Sequence, residues 1–252
     1  MQSSSKSSSE RVTRYWSVVE AHAKATLKQN ESKIIQQSEL LVSKVKAGGS
    51  LFIFGSGHSS IFAFELYHRA GGASFVVPMV ADFLMPTTGP HVVRNLERQE
   101  GLVPAFLRRF DLSSKDVVWV LSQSGINAAS VDCATFAKAQ GAHVVAFTSL
   151  SHSQQVSSRH SSGKKLYECA HDTVDLGGVR GDAAITLSSG VSIGPLSSLL
   201  AMTLGHTIVG LACETLESEG HSCVYTSVNT PEGESKNRLI EKQAGQRDSL
   251  LR

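Results

Sequence analysis

The chain has 252 residues, is 41% hydrophobic and 18% charged, and carries a formal net charge of +2. That length fits one large α/β domain or two small ones, and the composition is that of a globular protein. The balanced charge, without a long basic run, argues against nucleic acid as a partner; no apolar stretch is expected to reach membrane-spanning length and no signal peptide opens the chain, so a cytoplasmic protein is expected.

Residues 1–10 form a Ser-rich, low-complexity stretch expected to be a disordered tail. From 12 to 47 the apolar residues Tyr15, Val18, Val19, Leu27, Ile34, Ile35, Leu41, Val42 and Val45 recur at helical spacing, which predicts two helices or one bent helix ending at Gly48 and Gly49. Residues 51–54, Leu-Phe-Ile-Phe, are an uncharged apolar run, the pattern of a buried parallel strand. Gly55 and Gly57 allow a sharp turn after it, and Ser56, His58, Ser59 and Ser60 open a helical pattern expected to run to about Ala70 and stop at Gly71 and Gly72. Residues 74–77 read as a short strand closed by Pro78, and residues 79–93 as an irregular loop placed to border a site.

Residues 95–110 are helical in pattern, with a break at Gly101 and Pro104. Residues 116–121, Asp-Val-Val-Trp-Val-Leu, give the clearest buried strand; Ser122 to Asn127 follow it, then a helix to about Gln140. Residues 143–147 form another strand, followed by Thr148 and Ser149. Residues 151–168 read as a polar loop with a helical turn, 173–176 as an edge strand, 177–190 as loop, 193–219 as a long apolar helix, and the segment from Val224 as a polar, partly helical end. Thus 11–252 is expected to form one domain, with leading helices over 11–49 and a C-terminal part over 224–252. Cys133, Cys169, Cys213 and Cys223 are scattered without a Cys-x-x-Cys pair, so neither a disulfide framework nor a structural zinc site is expected.

Strands alternating with helices argue for a parallel sheet with helices on both faces, an αβα sandwich. In such sheets ligands sit beyond the carboxyl ends of the strands, near the point where strand order reverses. That rule gathers three separate segments into one site: residues 55–60, residues 122–127, and Thr148 with Ser149, each directly after a predicted strand. Gly-rich turns at helix N-termini present free N–H groups and a favourable dipole to an anion, and the hydroxyls of Ser56, Ser59, Ser122 and Ser124, with Asn127, add neutral donors around Gly57, His58 and Gly125. Neither turn carries the lysine of a Walker A loop, and Ser60 occupies the third glycine position of a dinucleotide fingerprint. A neutral hydroxyl cradle suits a phosphate monoester on a small molecule.

Gly-Ser-Gly-His-Ser over 55–59, with Ser-Gln-Ser-Gly-Ile-Asn over 122–127, resembles the sugar isomerase (SIS) fold. The chain is similar in particular to the UPF0309 family, through Phe-Gly-Ser-Gly-His-Ser at 54–59, Tyr-His-Arg-Ala-Gly-Gly at 67–72, Leu-Glu-Arg at 96–98, the segment 158–168 and Gly-Asp-Ala-Ala at 181–184. It departs from the superfamily pattern at Asn127, where many SIS proteins carry threonine. The resemblance implies a flavodoxin-like five-stranded parallel sheet, a phosphorylated sugar as ligand, and a homodimer or homotetramer with sites near subunit boundaries. It implies phosphate at Ser122, Ser124 and Asn127, with Gly57, His58 and Ser59 on phosphate or sugar hydroxyls.

The resemblance leaves open an aldose–ketose isomerase, a non-catalytic phosphosugar sensor or adaptor, and a sugar-phosphate etherase or lyase. Isomerisation needs a base to carry a proton between adjacent carbons and an acid for ring opening. The candidates are Glu65, His68, Glu97, His58, His160 and Asp182. Glu65 and His68 are three apart on a predicted helix and would share a face, although Glu65 could equally pair with Arg69. Glu97 lies where etherase relatives carry a catalytic glutamate, and His160 sits in the family-specific 158–168 segment. His206, on the long apolar helix, matches the place of a catalytic histidine in phosphoheptose isomerase. That relative uses zinc, but no compact ligand cluster is present here, so no metal and no cofactor are expected.

Overall fold

The structure is a computed structural model that describes residues 8–245 and 247. Two leading helices, α1 (Ser8–Gln29) and α2 (Glu31–Lys46), separated only by Asn30, precede β1 (Leu51–Gly55), a 3-10 turn at Gly57–Ser60 and α3 (Ile61–Leu66). β2 (Val76–Met79), two 3-10 turns, α4 (Pro90–Leu96) and α5 (Leu102–Leu107) follow. Then come β3 (Val117–Leu121), α6 (Ala128–Ala139), β4 (His143–Thr148), α7 (Leu150–Ser153), α8 (Leu166–Cys169) and β5 (Asp172–Asp175). A hairpin of β6 (Ala183–Thr186) and β7 (Ser192–Pro195), the long α9 (Ser197–Ser218) and α10 (Gly233–Ala244) complete the chain.

The five strands β2-β1-β3-β4-β5 form one parallel sheet. Side chains of a strand alternate between faces, and β1 shows the consequence. Leu51 and Ile53 enter a core with Trp119, Phe62, Phe147 and the inner stripes of α2 and α9, whereas Phe52 and Phe54 enter a second core with Val118, Val120, α5 and α6. The result is the expected three-layer sandwich. Phe62 stacks on Trp119 with ring centroids 6.0 Å apart.

The boundaries differ from expectation in places that matter. Ser8 to Glu10 belong to the first turn of α1, and the rest of the expected disordered tail lies outside the described residues. Pro78 does not close its strand but pairs with Ile53 inside β2; β2 is an edge, where the missing N–H faces no neighbour. The helix after β1 ends at Leu66, not near Ala70. The 177–190 loop contains β6, whose hairpin is tied to α1 by the Tyr15 hydroxyl on the Pro195 carbonyl at 2.5 Å. α9, at 22 residues, is long and apolar enough to cross a membrane by length and composition, contrary to expectation. Half of that apolar window is buried inside the fold, with Leu204, Ile208, Ala212 and Leu216 in the core beside α2.

α9 approaches α3 closely because Gly205 has no side chain: a Cβ there would lie 2.5 Å from the Phe62 ring. Gly205→Ala is therefore expected to lower stability by about 1–3 kcal/mol through overpacking, read as a lower urea midpoint at unchanged slope.

Candidate functional site

In the strand order β2-β1-β3-β4-β5 the direction of winding reverses between β1 and β3. Gly55 stands level with Leu121 across that junction, so the turns that leave the two strands begin about 5 Å apart, one strand spacing. The first turn runs through Ser56, Gly57, His58 and Ser59; the second runs from Ser122 to Asn127, which caps α6.

The second turn is held open by its own backbone. Gly125 has φ +64°, and a Cβ there would lie 3.1 Å from Thr148 Oγ1 and 3.2 Å from Leu166 Cβ, so the position needs glycine on both counts. Its N–H donates to Ser122 Oγ at 3.1 Å. Thr148 Oγ1 and the Ser149 N–H both donate to the Gln123 carbonyl, at 3.2 and 3.1 Å. Among the described residues the N–H groups of Gln123, Ser124, Ile126 and Asn127 have no hydrogen-bond acceptor, nor do those of Gly57 and His58. The Ser124 hydroxyl is likewise unbonded and half-buried. Several adjacent free amides at a helix N-terminus form an anion cradle.

Glu97 fastens the two turns together. It follows α4, accepts the Ser56 hydroxyl at 3.0 Å on Oε2, and takes the Ala129 N–H of α6 on its main-chain carbonyl at 2.9 Å. Burial pushes the Glu97 carboxyl up from its usual range, and the Ser56 hydrogen bond and the charges of Arg98, Arg159 and Arg94 only partly offset it. A carboxylate of raised pKa beside an anion cradle has the character of a general base.

Residues 14–149 match the family model described as the SIS domain. The chain belongs to the SIS domain family. Its similarity extends to UPF0309 proteins: one from Halalkalibacterium halodurans is 38% identical over 75% of this chain and 79% of the relative. Another, from Geobacillus thermodenitrificans, is 33% identical over 92% of this chain and 94% of the relative. Among solved structures, a phosphoheptose isomerase from Neisseria gonorrhoeae superposes with a TM-score of 0.52 at 17% identity, over 84% of this chain and all of that one. That likeness is one of fold: the SIS sheet and its helical layers.

Within this SIS fold the sequence-derived candidates separate. Ser56, Gly57, His58, Ser59, Ser122, Ser124, Gly125 and Asn127 lie on the two facing turns, with His58 exposed. Thr148 and Ser149 are fully buried and support the second turn from beneath, so direct contact with a ligand is corrected to a supporting role. Glu65 and His68 do not share a helix face: α3 ends at Leu66, and His68 sits past it at φ +32°. His68 instead pairs with Glu241 of α10 at 3.0 Å and lies against Tyr225. Glu65 forms an ion pair with Arg69, and His206 Nε2 of α9 reaches the same Oε1 at 3.4 Å. Asp182 is committed to the start of α9, accepting the Leu196 and Ser197 N–H groups and the Ser197 hydroxyl. His160 is held between Asp132 Oδ1 at 3.1 Å and Ser162 Oγ at 2.8 Å, a buttress of its loop. The sequence reading passed over its neighbour Arg159, whose guanidinium donates to Asn127 Oδ1 at 3.0 Å; the 158–168 motif was the available signal.

A cavity of about 410 Å³ lined by Ser50, Phe75, Cys223 and Arg247 lies at the opposite, amino-terminal end of the sheet. Its lining arginine, Arg247, is already paired with the buried Asp116, which also accepts the Ser50 and Ser113 N–H groups.

The raised pKa of Glu97 has a thermodynamic sign. A carboxyl whose folded pKa is above its unfolded one favours folding when protonated, at low pH, and that contribution is lost as pH rises through the folded value. Glu97→Gln, which keeps an acceptor for Ser56, is expected to melt at or above the wild-type temperature at pH 7. That advantage should vanish below about pH 4, where the wild-type carboxyl is protonated too; thermal melts across pH measure it.

Proposed function

We propose that this SIS protein binds a phosphorylated sugar, with the phosphate on the Ser122–Asn127 cradle, and acts as an aldose–ketose isomerase. The observation that carries the reading is the set of free amides around Ser124, joined through Glu97 to the turn that bears His58. The amides and hydroxyls would take the phosphate, which anchors the far end of the sugar. The first turn would then meet its hydroxyls, with Glu97 beside the reacting carbons.

Isomerisation moves a hydrogen from C2 to C1 with no net oxidation. The base takes the C2 proton as the C1 carbonyl oxygen gains negative charge, giving an enediolate; the same carboxylic acid returns the proton to C1 while a hydroxyl proton passes from O2 to O1. Glu97 suits this work because its raised pKa lies nearer neutrality, where both abstraction and return are efficient. No cofactor is required by these steps.

The Glu65–His206 contact favours a second assignment within the same reaction. A carboxylate and an imidazole 3.4 Å apart on α3 and α9 form an acid–base couple, and the exposed Ile61 and Phe64 beside them suit a subunit boundary at which a site could be shared. A sensor or adaptor would keep the cradle and lack turnover; an etherase or lyase would use the same base but release a fragment.

Ser124→Ala is expected to weaken phosphosugar binding by about tenfold or more, the loss of a hydrogen bond to a charged group, with the melting temperature unchanged in the absence of ligand. A thermal-shift screen of hexose, N-acetylhexosamine and heptose phosphates against their unphosphorylated partners supplies the ligand; a shift of a few degrees near a hundred times Kd is expected. Equal affinity in the variant would overturn the cradle assignment. With that ligand, Glu97→Gln is expected to abolish turnover while binding persists; unchanged turnover would transfer the base to Glu65, tested in turn by Glu65→Gln.

A further inference from the structure

Three arginines flank the two turns, and among the described residues none of them forms an ion pair. Arg94 lies on α4, Arg98 directly after Glu97, and Arg159 on the loop between α7 and α8. All three are exposed, and all three lie close enough to Glu97 to act on its carboxyl by charge. Among the described residues Arg94 and Arg98 make no side-chain hydrogen bond, and Arg159 spends one of its five donors on Asn127 Oδ1.

Arg159 is not a loose surface side chain. Its N–H donates to the Ile126 carbonyl at 2.9 Å, and the Leu166 N–H donates to the Gly125 carbonyl at 2.8 Å, so the loop is stitched along the second turn. The residues around it are pinned as well. His160 is held by Asp132; the Ser161 amide and hydroxyl both donate to Glu100 at 2.6 Å; the Ser158 hydroxyl donates to the Lys164 carbonyl at 2.7 Å; and Lys165 Nζ donates to the Ser153 carbonyl at 2.7 Å. The nearby carboxylates Asp132 and Glu100 are therefore engaged in fixing the loop, Asp132 also accepting the Gly101 N–H at 2.8 Å. They are not spent on neutralising the arginines. A fixed backbone presenting a free guanidinium edge at the rim of an anion cradle is a recognition element, because a planar fork matches a carboxylate or a phosphate in two parallel bonds.

We propose that Arg159, together with Arg94 and Arg98, forms a second anion subsite beside the phosphate cradle, and that the preferred ligand is a phosphosugar bearing another acidic group. This rests on the reading of the Ser122–Asn127 turn as the phosphate site. The second group is anchored at the rim of the cradle, where Arg159 bonds Asn127, so the sugar is held by two charges beside the reacting carboxyl. The cradle of amides and hydroxyls is charge-neutral, and it selects for a phosphate; the arginines select for what else the sugar carries. Asn127, bonded to Arg159 and capping α6, is the hinge between the two, which gives asparagine at this position a use that threonine could not fill through the same carbonyl oxygen.

The test is a titration of the full chain with two matched pairs: fructose 6-phosphate against fructose 1,6-bisphosphate, and glucose 6-phosphate against 6-phosphogluconate. The first pair adds a phosphate and the second a carboxylate, so the pairs separate the two sources of charge. The wild type is expected to bind the doubly acidic member of at least one pair about tenfold more tightly, about 1.4 kcal/mol, and to lose part of that preference at high salt. Arg159→Gln is expected to bring the ratio close to one, and Arg94→Gln with Arg98→Gln to reduce it. Arg159→Lys, which keeps the charge but not the fork, should fall between. A wild-type ratio near one overturns the second subsite. So does an Arg159→Gln variant that weakens both members of a pair equally, since that puts the guanidinium on the first phosphate. Monophosphates that bind and are lost in Ser124→Ala, with a ratio of one, would remove only the second subsite. Failure of all four compounds, and of inorganic phosphate, to shift the wild-type melting temperature would remove the phosphosugar reading and this one with it.

Discussion

The two bonds made by Glu97 hold the candidate site together. Its side chain takes the Ser56 hydroxyl from the turn after β1, and its carbonyl takes the Ala129 N–H at the start of α6. A doubly wound sheet brings these two turns side by side by topology alone, because strand order reverses between β1 and β3. Topology does not fix how far apart or at what angle they stand. Glu97 does that, from a third segment positioned by α4, in which Val93 is buried and Leu96 packs against the second core.

This arrangement places a carboxyl where burial disfavours its charge, and surrounds it with arginines that favour it. The opposition leaves Glu97 raised but still ionisable. A fold optimised for stability alone would place an amide there; sites that do chemistry commonly retain such locally unfavourable groups. The opposite case is Asp172. Burial raises it too, yet hydrogen bonds from Lys33, His143 and Gln37 outweigh that and hold its carboxyl below the usual range. Asp172 begins the edge strand β5, and its bonds tie α2 and β4 to that edge. One half-buried carboxylate is bonded three times and structural, the other is bonded once.

The loop over 157–165 shows how a polar segment without secondary structure can be rigid. It carries few apolar residues, yet Asp132, Glu100 and Ile126 each accept a hydrogen bond from it. Such cross-links fix the backbone that a hydrophobic core cannot reach, and they convert a histidine read as a catalyst into a support for its neighbour.

Much of this was legible in the chain. Uncharged apolar runs at 51–54 and 117–121 read as strands buried on both faces, and the glycine and serines that follow each read as a tight turn, so the sheet, its layers and the two facing turns are written locally. Helix ends were less legible. Glu65 and His68 look like neighbours on one face, but Tyr67 turns extended and His68 takes a positive φ, because α10 offers Glu241 as a better partner than another helical turn would. Pro78 looked like a terminator, and only its place on an edge makes it a strand residue. Thr148 and Ser149 follow their strand as the other turns do, yet β4 lies one strand beyond the switch point, and their hydroxyls face inward. Sequence fixes what depends on near neighbours: periodicity, turn chemistry and the type of each element. Pairings of Glu97 with Ser56, Arg159 with Asn127 and His206 with Glu65 join residues 41, 32 and 141 apart, and only the packed structure, where distant segments exclude water and compete for the same donors, could decide them.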